Sequence, residues 1–381
     1  MEENVGNDYK LRLMAFKSSL ELGKKVNEHL LSMYELDAAN NTFLLPAKEC
    51  WFQDGHEKVE LLDTVRAKDV VFLTDIGNYS IEYLMHGFTN HTSPNDLIAQ
   101  LKDGIGSCKC HTNSITIIMP LLYAGRQHRR KGREALSCAN FLHEIDIDGH
   151  INRLITFDAH DEGVQQAMFS TEFDNFYASN YILKDFINNT DINELRDIIF
   201  VAPDYGATGR TNFYLNSFNS PQIKRSSGSF YKERDYNNFV GGKHPVVSHE
   251  YSGKDNIKGK TAIVVDDIIS SGGSMLDVIN GLNDRGVNNI YIISTYALFT
   301  EGIDIFNDSY KKGKISGVYT TNLSYIPQEF KDQPWLHIVD CSEYVAQIIY
   351  NLQNNKSISD LLNDRDYPSR LLQKKFEEEK H

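Results

Sequence analysis

Apolar and polar positions along this chain follow two alternating patterns, which predict strands and helices in turn. Short continuous apolar runs predict buried strands at 69–74, 114–119, 153–157, 197–202, 261–265, 289–296, 317–321 and 336–339. Between the runs, apolar residues recur at helical spacing, most clearly over 94–105, 134–145, 177–187, 213–218, 303–311 and 342–352. Strands that alternate with helices predict an α/β protein with doubly wound, mainly parallel sheets, in which ligands bind at the carboxyl ends of the strands.

The two ends of the chain are predicted to lie outside these sheets. Residues 11–34 carry apolar side chains on a helical period, so we expect an amphipathic helix before a first strand at 42–46. Residues 363–381 are rich in charge and are expected to fray. The predicted division is an N-terminal helical extension (1–40), two α/β domains (41–192 and 193–341), and a C-terminal helix with a tail (342–381).

The stretch TAIVVDDIISSGGSM (261–275) carries the most specific chemistry. A β-branched run ends in two acids, a turn of small residues follows, and an amphipathic helix begins. Backbone N–H groups of such a turn and the positive end of the helix bind phosphate, while Asp266 and Asp267 can reach ribose hydroxyls and a magnesium ion. The alternative is a capped strand-to-helix turn with surface acids. We interpret the stretch as a phosphoribosyl site, with these phosphate-binding residues: Ser270, Ser271, Gly272, Gly273 and Ser274.

Three further segments carry candidate chemistry. Five cations crowd into 126–133, which favours a triphosphate clamp over a solvated helix start. His160 and Asp204 each end a predicted strand and are candidate ligands of one magnesium ion, although each alone is more often structural. Lys232 and Arg234 end a predicted short strand (228–231) before a polar stretch (237–243), where two cations can stabilise a transferring phosphoryl group or simply line an exposed loop.

Composition excludes several other classes of function. A formal net charge of −13 argues against non-specific nucleic-acid binding. No apolar run approaches the roughly eighteen residues that span a bilayer, and the polar N-terminus does not resemble a secretory signal. The 5 cysteines are scattered, which suits reduced thiols. We therefore expect a cytoplasmic protein that contacts neither nucleic acid nor membrane.

Seven motifs in a fixed order resemble the ribose-phosphate pyrophosphokinase (phosphoribosyl diphosphate synthetase) family, in a long bacterial-type form. The resemblance covers about 42–362 and rests on FQDG (52–55), RQHRR (126–130), FDAH (157–160), APDYG (202–206), YKERD (231–235), VVDDIISSGGSM (264–275) and TTNL (320–323). It implies two tandem domains of phosphoribosyltransferase type I, the first on the ATP side and the second on the sugar-phosphate side. It also implies Mg²⁺ and a homo-oligomer, a dimer or a hexamer.

The resemblance implies a role for each motif residue. Phe52 and Asp54 would contact the adenine of ATP bound to a neighbouring subunit. Magnesium would lie near His160 and Asp204. The ATP-binding residues of the basic segment would be Arg126, Gln127 and His128. The catalytic residues would be Lys232, Arg234 and His160. Asp266 and Asp267 would hold the ribose hydroxyls.

The implied reaction transfers the diphosphate of ATP to the C1 hydroxyl of ribose 5-phosphate, giving phosphoribosyl diphosphate and AMP. The chain departs from the family at His56, where a glutamate is usual and Glu57 is the candidate substitute, and at Tyr205. Tyr205 either packs within the fold or stacks on a second base, which would favour ADP-ribose as acceptor and ADP-ribose 1-diphosphate as product. A phosphoribosyltransferase and a non-catalytic regulatory homologue remain as further alternatives.

Overall fold

A computed structural model of the chain describes residues 9–109, 111–130, 132–234, 246–253, 256–359, 361, 364 and 366–379. They form two compact units. The first unit contains the chain up to Tyr177 together with Asn322–Pro327 and Asp340–Leu362. The second contains Ala178–Thr321, Gln328–Val339 and the residues from Asn363 onward. This division differs from the predicted boundaries at 40, 192 and 341, because the chain returns to the first unit twice.

The first unit is built on a parallel sheet. Its strands are β1 (Leu11–Ala15), β2 (Ala47–Trp51), β3 (Glu57–Leu61), β4 (Asp69–Leu73), β5 (Glu82–Met85), β6 (Phe88–His91), β7 (Ser114–Ile118), β8 (Arg153–Phe157) and β9 (Glu172–Phe176). Among the described residues, five of them pair in the order β1-β4-β7-β8-β9, all parallel. The others form two antiparallel hairpins, β2–β3 and β5–β6. The helices of the continuous N-terminal part are α1 (Leu20–Met33), α2 (Pro94–Cys108) and α3 (Ser137–Ile147).

Two predictions for the N-terminal region were wrong. Residues 11–15 form the edge strand β1 and not the start of a helix, because Leu11, Leu13 and Met14 are all buried in the sheet. The helical extension predicted for 1–40 is therefore part of the first unit from β1 onward. Residues 42–46 contribute only an isolated bridge between Leu13 and Leu44, and the next strand begins at Ala47.

The second unit carries a larger, mixed sheet. Its strands are β10 (Asp197–Ala202), β11 (Lys224–Arg234), β12 (Val246–Ser252), β13 (Thr261–Ile269), β14 (Asn289–Ala297), β15 (Gly317–Thr321) and β16 (Leu336–Val339). In the described part of the chain they pair in the order β12-β11-β10-β13-β14-β15-β16. Only the β11–β12 pair in this order is antiparallel, so the sheet is mainly parallel as predicted. The helices up to β16 are α4 (Ser179–Asn189), α5 (Thr208–Ser217), α6 (Gly273–Asn283), α7 (Asp304–Lys311) and α8 (Gln328–Lys331).

The C-terminal segment is divided between the units. Helix α9 (Ser342–Gln353) belongs to the first unit and packs on α1. Tyr34, directly after α1, meets Tyr350 of α9 with ring centroids 4.9 Å apart, and Lys25 Nζ of α1 lies 2.6 Å from Asp340 Oδ2. Within the described ranges, none of the helices combines the length and the apolar character that crossing a bilayer requires.

The prediction that the tail frays was wrong. Residues of the tail form helix α10 (Tyr367–Glu378), which packs on α4 in the second unit. Leu372 and Phe376 are buried in this contact. The helix presents a narrow apolar stripe on an otherwise charged surface, and that stripe is enough to dock it.

Candidate active site

The 270–274 turn lies at the carboxyl end of β13 in the second unit. Gly272 has a φ of +84°, a conformation that glycine adopts without strain, and it is the N-cap of α6. A Cβ at this position would lie 2.6 Å from atoms of Ile305 and Phe306, so a larger residue is excluded by space as well. Gly273 and Ser274 are exposed, and Ser270 and Ser271 are half-buried. The turn therefore offers backbone N–H groups and hydroxyls to a ligand from solvent.

Asp266 and Asp267 lie just before the turn and interact strongly with each other. The backbone N–H of Asp267 donates to Asp266 Oδ1 at 2.9 Å, and the Asp267 side chain is buried. Burial first, and then the charge of Asp267, raises the pKa of Asp266 well above its ordinary value. Two carboxyl groups held this closely have one proton or one cation to share.

Asp204 and Arg210 complete this edge of the second unit. Asp204 follows β10, the strand next to β13, and its Oδ1 accepts from Ala207 N at 3.2 Å. Its charge adds to the rise in the Asp266 pKa, while Arg210 opposes that rise. Arg210 Nη1 lies 3.9 Å from Asp267 Oδ1 on a side chain only 14% exposed. The sequence analysis missed Arg210, because nothing in the sequence links this arginine to the Asp266–Asp267 pair.

The structure tests the prediction for Tyr205 but not the predictions for Lys232 and Arg234. Tyr205 is 85% exposed, so the alternative that it packs within the fold was wrong. Lys232 and Arg234 lie on β11, which is longer than the predicted 228–231 strand and continues to Arg234. The structure describes only the backbone of both residues, and the stretch 237–243 lies outside the described residues. Their catalytic role stays a prediction.

In the first unit, His128 and His160 are brought together at the ends of β7 and β8. Their ring centroids are 5.2 Å apart. Asp161 Oδ2 lies 3.4 Å from His128 Nε2 and 3.1 Å from Arg129 Nη2. Burial lowers the pKa of His128, and a hydrogen bond from Gly163 N is the largest cause of the lowered Asp161 pKa. The cluster holds a neutral imidazole beside an ionised carboxylate and an arginine.

Arg126 and Gln127 precede this cluster on an exposed turn. Ala124 has a φ of +54°, and Gln127 N donates to Ala124 O at 2.8 Å, which closes the turn after β7. Both side chains are exposed. They are therefore accessible to a phosphate group, and their ATP-binding role stays a prediction.

Phe52 and Asp54 lie in the turn of the β2–β3 hairpin. Phe52 N donates to His56 O at 2.7 Å, Asp54 Oδ1 accepts from His56 N at 3.0 Å, and Gly55 has a φ of +89°. The Phe52 ring is 50% exposed and is stacked with the His56 ring at 6.5 Å between centroids. Glu57 points inward and is only 7% exposed, so it does not replace a glutamate at position 56.

The predicted magnesium ligands His160 and Asp204 belong to different units, so their pairing stays a prediction. Within the described residues, no group of three or more His, Cys, Asp and Glu side chains is arranged to hold a metal ion.

The fold and these sites define the chain as an α/β protein of phosphoribosyltransferase type. The family model "Phosphoribosyl transferase domain" matches residues 175–322, and "N-terminal domain of ribose phosphate pyrophosphokinase" matches residues 11–149. The chain belongs to the ribose-phosphate pyrophosphokinase family.

Relatives of the same family match almost the whole chain. A ribose-phosphate pyrophosphokinase of Nostoc sp. is 24% identical over 356 residues, which cover 93% of this chain and 94% of the relative. One of Synechococcus elongatus is 24% identical over 361 residues, with 94% and 95% covered. The crystal structure of phosphoribosylpyrophosphate synthetase from Mycobacterium smegmatis shares the fold, with a TM-score of 0.71, 21% identity, and coverage of 91% of this chain and 99% of that one.

Proposed function

We propose that the protein is an ATP-dependent diphosphokinase. It transfers the β,γ-diphosphate of ATP to the C1 hydroxyl of ribose 5-phosphate and yields phosphoribosyl diphosphate and AMP. The observation that carries this proposal is the open 270–274 turn beside the coupled Asp266–Asp267 pair, in a chain whose first unit matches the N-terminal domain of the family. A phosphoribosyltransferase that consumes the activated sugar has no need of that first unit.

The described residues suit each part of the transfer. Amides and hydroxyls of the 270–274 turn bind the 5-phosphate, and Asp266 and Asp267 accept hydrogen bonds from the ribose hydroxyls. ATP lies with its triphosphate near the basic segment of the first unit, where His128 and His160 meet. The C1 hydroxyl attacks the β-phosphorus in line and AMP leaves. Such a transfer depends on positioning and on cations around the phosphoryl oxygens, the role of Lys232 and Arg234.

The acidic edge of the second unit fits Mg²⁺. Magnesium is commonly held by one or two carboxylates together with substrate phosphates and water, so a complete protein cage is not required. Asp266 and Asp267 would supply hard oxygen ligands, and burial, followed by the charge of Asp267, raises the pKa of Asp266. When bound, the ion neutralises charge on the diphosphate that is transferred.

We extend the proposal to the assembly and the acceptor. If Phe52 and Asp54 contact ATP bound to a neighbouring subunit, the active enzyme is a homo-oligomer, a dimer or a hexamer, in the cytoplasm. The relatives described above give no support to ADP-ribose as the acceptor. The exposed Tyr205 is the feature that makes this acceptor worth testing.

The test is AMP formation from ATP with either ribose 5-phosphate or ADP-ribose. We expect turnover with ribose 5-phosphate in the presence of Mg²⁺ and none with ADP-ribose. Lys232→Ala should lower kcat by at least about 10²-fold without moving the thermal midpoint. Lys224→Ala, at the other end of β11, is the matched control and should keep full activity. Absence of AMP with both acceptors would contradict the proposal.

A further inference from the structure

The β2–β3 hairpin packs on α2 through acidic side chains that are buried. Strand alternation turns Glu57, Val59 and Leu61 toward the helix and leaves Lys58 and Glu60 in solvent. Glu49 on β2 is buried on the same side. From α2, Asp96, Gln100 and Asp103 lie on one face because they are four and three positions apart. The hairpin that carries the 52–55 turn thus buries two carboxyl groups, those of Glu49 and Glu57, beside the apolar Val59.

Glu49 and Glu57 differ in their hydrogen bonds. The Glu49 carboxylate accepts two hydrogen bonds from Lys17 N, at 3.0 and 3.2 Å, and Lys17 Nζ donates to Glu49 O at 3.0 Å. Among the described residues, neither carboxylate oxygen of Glu57 has a hydrogen-bond partner, and Gln100 Oε1 on the facing helix lacks one too. These are buried acceptors without donors. A proton on Glu57 would add the donor that this interior lacks.

The charged and titratable groups around Glu57 do not compensate an ionised carboxylate. Asp103 and Asp96 face it from α2, Glu49 from β2, and Tyr83 from β5. The Lys17 cation lies beside Glu49, where its Nζ donates to Glu49 O. Burial, followed by the charges of Asp103, Asp96 and Glu49, raises the pKa of Glu57 to about 8. An unpaired buried carboxylate is far more costly than the neutral acid.

We propose that Glu57 is a positioning residue whose uncharged form holds the β2–β3 hairpin against α2 and whose ionisation loosens the hairpin. Glu57 pairs with Trp51 in the last rung of the hairpin, directly beside the Phe52–His56 hydrogen bond that closes the turn. Loosening of the hairpin at Glu57 therefore displaces the turn that carries Phe52 and Asp54 first. The effect of Glu57 on the hairpin does not depend on ATP. Its effect on ATP binding rests on the proposed function.

The sign of the pH dependence follows from the raised pKa. The folded chain keeps the Glu57 proton at pH values where the unfolded chain has lost it. The stability of the hairpin is therefore complete in acid and declines as the pH rises toward and past about 8. This is opposite to the behaviour of a carboxylate that is stabilised by an ion pair.

Amide hydrogen exchange of the hairpin in the full-length protein tests the proposal without using activity. After correction for the intrinsic rate, protection of the β2 and β3 amides should fall by up to about tenfold between pH 7 and pH 9. Glu57→Gln should abolish this fall. Glu60→Gln, the same change on the outer face of β3, should retain it. Equal pH dependence in Glu57→Gln and the unsubstituted protein would overturn the proposal.

Two further measurements keep the outcome clear if Glu57→Gln folds poorly. A carboxyl-carbon NMR titration of the unsubstituted protein should show Glu57 titrating near pH 8, and titration in the ordinary glutamate range would overturn the proposal. The KM for ATP should rise above pH 8 in the unsubstituted enzyme and not in Glu57→Gln. A pH-dependent hairpin with an unchanged KM would remove the positioning role for ATP while leaving the proposed reaction intact.

Discussion

At the residue scale, Asp266 is held where its own charge is unfavourable. Its carboxyl group is largely enclosed, lies against Asp267 and is influenced by Asp204, while Arg210 opposes only part of this repulsion. A surface built for stability would not keep such a group. A ligand that brings hydroxyl donors or a cation to this edge relieves the repulsion. Asp266 therefore lowers the stability of the fold and favours ligand binding.

Asp266→Asn should therefore raise stability and lower activity. Because the folded pKa of Asp266 is raised, the folded chain is proton-rich and the unsubstituted protein loses stability as the pH rises above the ordinary carboxyl range. The amide removes that loss, and the free energy of unfolding at pH 8 should increase by on the order of 1 kcal/mol. The kcat/KM for ribose 5-phosphate should fall about 10²-fold. Urea unfolding at pH 5 and pH 8 measures the first effect.

Asp284→Asn is the control for this change, since Asp284 is exposed at the end of α6 in the same unit. It should leave both the pH dependence and kcat/KM unaltered. A stability of Asp266→Asn that is unchanged at both pH values would show that the carboxyl group is not strained.

Residue-level prediction from the sequence succeeded where several signals coincide. The order of strand, acid pair, glycine turn and helix at 261–276 predicted this local structure, which β13, the turn and α6 confirm, while the phosphate-binding role stays a prediction. Arg210 was missed because a single arginine on a polar helix has no sequence partner. Arg210 comes close to Asp267 only because α5 packs against β13. Glu57 was wrongly predicted to substitute for a glutamate at position 56, because the direction of its side chain depends on where strand β3 begins.

At the scale of elements, α10 caps the C-terminus of the neighbouring helix α4 through Lys375. Lys375 Nζ donates to Thr190 O at 2.6 Å and also to the carbonyl oxygens of Ile187 and Asn188, which are unpaired by α4 itself at its C-terminus. A cation placed on the last carbonyls of a helix interacts favourably with the helix dipole. Burial lowers the pKa of Lys375, in keeping with a partly desolvated amine.

Lys375→Met should cost about 1 to 2 kcal/mol in the free energy of unfolding, because it leaves those carbonyls without a donor. Lys374→Met provides the matched control, as the neighbouring lysine is 74% exposed and pairs only with Glu378. Thermal unfolding of both variants separates the cap from a general effect of charge. Similar midpoints for the two variants would contradict the capping role.

The sequence predicts elements well where apolar runs are continuous. The strands at 153–157, 197–202, 317–321 and 336–339 have the predicted bounds, because both faces of a parallel sheet are covered and the runs are unbroken. The two hairpins of the first unit were not predicted, since their strands carry charges on one face and few apolar residues. Strand β1 was missed because its apolar positions merge with those of α1.

At the scale of the molecule, the first unit is completed by two segments, Asn322–Pro327 and Asp340–Leu362, that come after most of the second unit in sequence. The Asp75 carboxylate, buried in the first unit, accepts hydrogen bonds from Ser324 Oγ at 2.9 Å and Tyr325 N at 2.6 Å. Tyr344 of α9 packs edge-on against Phe157 and Phe176, with centroids 5.7 and 5.9 Å away. Tertiary contacts between segments so distant in sequence cannot be inferred from local periodicity, so the sequence predicted contiguous domains.

A fragment of residues 1–177 should therefore fail to unfold cooperatively. It lacks the Ser324 and Tyr325 donors to Asp75 and the aromatic cover of Phe157 and Phe176, and buried groups of this kind are costly when exposed or unpaired. Joining residues 322–362 to the fragment through a flexible linker should restore a sigmoidal thermal transition. Calorimetry of the two fragments decides the matter, and a cooperative transition in 1–177 alone would refute the expectation.

This arrangement has a consequence during synthesis. Tyr344 is translated 167 residues after Tyr177, which at ordinary elongation rates is a delay of roughly 10 to 30 s. Throughout that interval the nascent first unit displays an uncapped aromatic surface beside the ribosome. Its yield in a cell should depend on chaperone supply more than that of a protein whose domains are consecutive.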